Sequence, residues 1–302
     1  MGAAKIFRQN LPKFYMKIFT SRIISFAVVA VIVFFVGTSL WGFLGAIRPP
    51  KIVSTVTPAN LGLTYENVSF LTSDGLRLRG WFIPSATQPQ AKTVVLLHGY
   101  PADKGDILPS LSFLHKTYNL FLLDFRYLGA SEGKYSTAGA KEKEDLLAAI
   151  RFLKSRGIDE LTVWGFSMGG AVALRVAAEA PEIKAIVSES SYARLDLMTK
   201  ELYRLPGLRD FLGFLTRLWG ILLLGIDVKT ISPEAAARQL NIPILITHSV
   251  NDEVILFSHA KRLQAALVNN PRAEFWFRED LFHGEWGPEY QKKIVDFLAR
   301  SW

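Results

Sequence analysis

Cysteine is missing from all 302 residues. Its absence excludes a disulfide framework, a thiolate metal site and a cysteine nucleophile. Acidic residues are missing from residues 1–22, which carry Lys5, Arg8, Lys13, Lys17 and Arg22. These five make up most of the formal charge of +8, and the rest of the chain mixes signs. The charge therefore marks a basic arm, and no nucleic-acid partner is expected. Charge of either sign is missing from residues 23–47, the run IISFAVVAVIVFFVGTSLWGFLGAI. As a helix that run is about 37 Å long, more than the roughly 30 Å of a hydrocarbon core.

The run is longer than the apolar core of a cleavable signal peptide, and Trp41-Gly-Phe-Leu offers no small-residue cleavage site. It reads as an uncleaved signal anchor, a transmembrane helix whose partner is the bilayer. The positive-inside rule places residues 1–22 in the cytoplasm and everything after the span on the non-cytoplasmic side. Arg48-Pro-Pro ends the helix, and residues 48–64 read as a linker.

From residue 65 the pattern changes. ENVSFLT and LRLRGWFI alternate apolar and polar residues around Ser73-Asp-Gly, as an antiparallel hairpin does. Short, continuous apolar runs follow at 93–98, 119–125, 161–166, 183–189, 242–248 and 273–279. Such runs suit strands buried on both faces of a parallel sheet. Helical patterns separate them at 141–157, 171–180, 258–267 and 290–302. Residues 65–302 are thus expected to form one α/β domain, a mostly parallel central sheet with helices on both faces.

Within it, GFSMGG (165–170) follows the apolar run LTVW and precedes the helical AVALRVAAEA. Strand, G-x-S-x-G, helix is the nucleophile elbow, in which glycines let a serine sit exposed on a sharp turn. Ser167 needs a base, and the base an orienting acid. Of the five histidines, His98 and His115 precede the serine, His248 ends a strand, and His259 lies in a helical pattern. His283, in the loop LFHGEW before the final helix, is the preferred base. Asp252, in the loop THSVNDEV with Glu253 beside it, is the preferred acid, and Asp280 is the competitor. The backbone N–H groups of Met168 and Tyr100 are the candidate oxyanion hole, since Pro101 has no N–H to offer.

With LLHGYPADK, DFRYLGASEG, WGFSMGG, ITHSVNDEVILFSHA and LFHGEW, the chain resembles the alpha/beta-hydrolase superfamily, and most closely its serine-aminopeptidase-like and membrane-anchored acyl-hydrolase branches. The resemblance implies Ser167 as nucleophile, Asp252 as acid and His283 as base, with a bracing role for Asp124 and Arg126. It also implies that the stretch at about 192–231 is a helical cap over the site. The chain departs from the family at Ser249 and Phe282, where glycine is usual, and at Leu256, where proline is common. The implied function is a serine hydrolase cleaving apolar or lipid-like acyl esters or thioesters through an acyl-enzyme, with no metal or cofactor. Phe214, Leu218 and Leu222 of the cap are expected to line the acyl pocket. An aminopeptidase-type peptidase, with Glu189 helping to hold the substrate amine, is the alternative, and a non-catalytic binding protein a further one.

Overall fold

The computed structural model describes residues 3–88, 90–203 and 207–301. Residues 204–206, within the stretch expected to be a cap, lie outside the described residues. Helix α1 (Ala3–Ile47) runs unbroken through the basic arm and the apolar run. Its stretch Ile18–Ile47, with mean hydropathy 2.6 and only 6% of its most apolar window buried, is long and apolar enough to cross a membrane. Ser39, Phe43 and Ile47 are its buried exceptions. Spaced four apart, they form one stripe that turns inward. The helix ends where Arg48 N–H reaches Leu44 O at 3.1 Å, just before the two prolines.

Eight strands form one sheet: β1 (Glu66–Leu71), β2 (Arg77–Ile83), β3 (Thr93–Leu97), β4 (Asn119–Leu123), β5 (Leu161–Phe166), β6 (Ile183–Glu189), β7 (Ile244–Ser249) and β8 (Ala273–Arg278). Their spatial order is β1-β2-β4-β3-β5-β6-β7-β8. β1 and β2 pair antiparallel, β2 runs antiparallel to β4, and every other neighbour is parallel.

Helices cover both faces, which is why the parallel strands read as unbroken apolar runs. Val95 and Leu97 point into one cluster with Leu146 of α3 (Glu142–Ser155), Val172 of α4 (Met168–Ala177) and Leu263 of α8 (Phe257–Ala266). Val94 and Leu96, one residue out of step, join Leu108 of α2 (Lys104–Leu111) and Phe297 of α9 (Tyr290–Arg300) on the other face. Between β6 and β7 lie α5 (Leu195–Glu201), α6 (Arg209–Leu224) and α7 (Pro233–Ala237), in the stretch expected to be a cap. α6 stops at Gly225, whose φ of 67° is the left-handed conformation that ends a helix. Because β3 to β8 are parallel, the loops leaving their carboxyl ends converge on one edge of the sheet, where sites of open α/β folds form.

The segment after α1 is laced onto that edge. Tyr127 OH donates to Pro49 O at 2.8 Å, Ser136 N–H to Ile47 O at 2.9 Å, and Ser54 N–H to Asp103 Oδ2 at 2.7 Å.

Candidate active site

Ser167 occupies the turn between β5 and α4 with φ 52° and ψ −112°. A non-glycine residue there is strained, and the surroundings must enforce it. They do so by close approach. A Cβ on Gly165 would lie 2.4 Å from the Gly169 carbonyl carbon, and one on Gly169 would lie 2.5 Å from Leu97 O. No larger residue fits either place, which is what the G-x-S-x-G spacing implied. Ser167 N–H donates to Glu189 O at 2.8 Å, tying the turn to the end of β6.

His283 and Asp252 are brought together from loops 31 residues apart. His283 Nδ1–H donates to Asp252 Oδ2 at 2.7 Å. The other oxygen, Oδ1, accepts from Val254 N–H at 2.9 Å and Ile255 N–H at 2.8 Å. Burial alone would raise the Asp252 carboxyl. The hydrogen bond and charge of His283 outweigh it and hold the group below its ordinary value of 3.8. The His283 ring lies 4.8 Å from the ring of Phe166, the residue before Ser167, which sets it beside the elbow. Asp280, the competing acid, is exposed.

The turn after β3 also closes on the elbow. A Cβ on Gly99 would lie 3.4 Å from Ser167 Cβ. Among the described residues, the backbone hydrogen bonds of turns and loops include none from the N–H of Tyr100 or Met168. The Tyr100 side chain turns away and its hydroxyl donates to Ala46 O of α1. Burial pushes that phenol up to about 12, so it remains a neutral donor.

The other histidines have structural partners. Buried His98 donates from Nδ1 to Gly99 O at 2.7 Å and accepts Phe125 N–H at Nε2 at 3.1 Å. Burial lowers its pKa, consistent with that neutral tautomer. His259 accepts Ala193 N–H and donates to Glu201, joining α8 to the cap. His115 contacts Ser112 O, and His248 donates from Nε2 to Ile255 O beneath Asp252. Asp124 braces the loops as expected, pairing with Lys104 Nζ at 2.6 Å and accepting Ala130 N–H at 2.9 Å. Arg126 bridges Asp74 and Asp145.

Two features differ from expectation. Phe214 and Leu222 are 55% and 63% exposed on the outer face of α6, and Leu218 is half-buried; none of the three lines the cavity that α6 forms with α1. The reason is helical phase: the inward residues are Leu212, Leu215, Thr216 and Gly220, one step away on the 3.6-residue turn. Glu189, considered as an amine holder, is buried and paired with Arg278 Nη2 at 2.6 Å.

Some contributors carried no readable signal. Ser249 Oγ donates to Leu281 O, fastening the His283 loop to the end of β7. Arg278 stacks on Trp276 and Tyr290 while it pairs with Glu189 beneath the elbow. In sequence Ser249 was only a departure from glycine, and Arg278 only one residue of the apolar run 273–279.

The buried Ser167 on its strained turn and the His283–Asp252 pair, linked to it through Phe166, lie at the carboxyl edge of the sheet, where sites of open α/β folds form. Residues 92–216 match the model of the alpha/beta hydrolase fold. The alpha/beta hydrolase domain-containing protein WAV2 of Arabidopsis thaliana is 31% identical over 263 residues, covering 81% of this chain and 82% of that one. The uncharacterized protein YfhR of Escherichia coli is 29% identical, over 78% and 81% of the two chains. Among solved structures, the Pyrococcus furiosus esterase Pf2001 superposes with a TM-score of 0.70 at 28% identity, over 84% of this chain and 99% of that one. The chain belongs to the alpha/beta-hydrolase family. Family and fold together support a hydrolase acting on a small-molecule substrate.

Proposed function

We propose that the protein is a membrane-anchored serine hydrolase that cleaves acyl esters or thioesters. Ser167 Oγ attacks the acyl carbonyl while His283 Nε2 takes its proton. Asp252 keeps the imidazole in the tautomer with Nε2 unprotonated and stabilises the imidazolium that forms. The N–H groups of Met168 and Tyr100 hold the oxyanion, each donor contributing about 3 kcal/mol. The tetrahedral adduct expels the alcohol or thiol, which takes the proton from His283. Water, deprotonated by the same ring, then attacks the acyl-enzyme and releases the carboxylic acid.

The observation that carries this reading is the 2.7 Å hydrogen bond from His283 Nδ1 to a buried Asp252 carboxylate, beside the strained Ser167. The likeness to an esterase supports it. The peptidase alternative loses support because Glu189 is occupied by Arg278. The apolar stretch Ile18–Ile47 supports the anchor, and the five basic residues before residue 23 support a cytoplasmic side for the arm.

The test is labelling of the detergent-solubilised chain with a fluorophosphonate probe, followed by a panel of acyl esters and aminoacyl amides. Labelling should occur at Ser167, vanish in Ser167→Ala, and accompany ester hydrolysis. Absence of labelling, or turnover confined to aminoacyl amides, would overturn the proposal.

A further inference from the structure

The last turns of α1 do more than tether the domain. They pack against α6, with Trp219 Nε1 donating to Ser39 Oγ at 3.2 Å. Beside this contact lies a cavity of about 230 Å³ lined by α1, α5, α6 and residues 136–138. α1 supplies Gly42, Phe43, Ala46 and Ile47, and the cap supplies Leu195, Leu202 and Leu224 opposite. Gly42 leaves room: a Cβ built there meets no atom within 4 Å.

The polar side chains on the walls are all engaged. Tyr203 and Thr216 bond each other at 2.5 Å, and Thr216 also donates to Leu212 O. Ser136 and Thr137 both donate to Glu142, and Thr199 donates to Asp196 O. What remains toward the space is hydrocarbon. Apolar cavities of roughly 150 Å³ stay dry and take up apolar ligands.

One side of the cavity borders the proposed site. Ala46, on its wall, accepts the hydroxyl of Tyr100, which follows Gly99 at the elbow. Ala138, also on the wall, precedes Gly139, where a Cβ would lie 3.6 Å from Met168 Cγ. On the other side, Leu202 of the wall is 57% exposed, and Trp41 and Leu223, each next to a wall residue, are 79% and 50% exposed.

We propose that this cavity binds one hydrocarbon chain of a lipid ester drawn sideways from the bilayer, with α1 as a wall of the binding site. The inference rests on the serine-hydrolase reading for turnover, but not for binding. A polar, water-borne acyl group would find no unengaged side-chain donor on these walls. A lipid chain passes from one apolar environment to another along α1 without crossing water, and its ester end arrives beside Tyr100 and Met168.

The experiment uses the full chain in phosphatidylcholine nanodiscs. A diazirine-bearing palmitic acid at low mole fraction is photolysed with Ser167→Ala, and the crosslinked peptides are mapped. Crosslinks should fall on residues 42–47 and 195–202. They should drop at least fivefold in Gly42→Leu, a change that fills the cavity and raises helix propensity. Phe26→Leu, on the outward face of α1, should leave them unchanged. Crosslinks confined to residues 23–34, or indifferent to Gly42→Leu, would overturn the proposal.

In the active enzyme, the ratio of palmitoyl to butyryl p-nitrophenyl ester hydrolysis should fall at least tenfold in Gly42→Leu, as expected if two or more methylenes at about fourfold each are displaced. An unchanged ratio with butyrate still cleaved would overturn it. If neither ester is cleaved, the hydrolase reading fails, and the crosslinking alone decides the cavity.

Discussion

Asp252→Asn changes few atoms yet should nearly silence the enzyme. In the wild-type chain Asp252 Oδ1 accepts two backbone N–H groups, from Val254 and Ile255, and Oδ2 accepts His283 Nδ1–H. An asparagine has one acceptor oxygen and one donor NH₂. The two backbone donors demand the oxygen on their side, so the NH₂ must face His283 Nδ1. The ring then accepts there, and its proton moves to Nε2, where it blocks uptake of the serine proton. The same change in the Ser-His-Asp template costs about 10⁴ in kcat, which at 1.36 kcal/mol per tenfold is about 5 kcal/mol. KM should change little, since no substrate contact is lost. The assay is steady-state hydrolysis of p-nitrophenyl butyrate by the solubilised full chain, with parallel fluorophosphonate labelling to count active sites. Exposed Asp280→Ala is the control. A loss below tenfold in Asp252→Asn, or a larger loss in Asp280→Ala, would refute the assignment.

Arg278→Met should leave Glu189 buried and unpaired, at a cost of about 3–5 kcal/mol. For a domain of this size that is a fall of about 6–20 °C in the thermal midpoint, read by tryptophan fluorescence in micelles. Adding Glu189→Leu should restore most of it, and no recovery would show that the pair is not the cause. Because Asp252 is held below 3.8, its stabilising contribution is complete above about that pH and is lost as pH falls through its lowered value. The gap in thermal midpoint between wild type and Asp252→Asn should therefore narrow as pH falls from about 4 toward 3. A gap that widens over that interval would reverse the sign of the argument. A reporter fused after the last residue should behave as non-cytoplasmic, and a cytoplasmic signal would overturn the orientation.

The elements of this protein were legible because each rests on local chemistry. Parallel strands buried on both faces must be continuous apolar runs, so 93–98 and 161–166 announced β3 and β5. An elbow that admits no Cβ at Gly165 or Gly169 must spell G-x-S-x-G. The long apolar helix was legible because a charge-free run of that length is long enough to cross a membrane. Pairings across the fold were not legible. His283 and Asp252 could be ranked by chain order, but their hydrogen bond depends on where two loops end, as does the Arg278–Glu189 pair beneath them. The phase of α6 was decided by the same kind of fact. Leu, Phe and Ile surround that helix, so composition gives no inward direction, and the presence of α1 on one side selects Thr216 and Gly220 rather than Phe214 and Leu222. The packing of α1 against the domain belongs wholly to tertiary structure. Gly42 and Ala46 read as ordinary residues of an apolar run until the fold sets them on the wall of a cavity with Leu195 and Leu202.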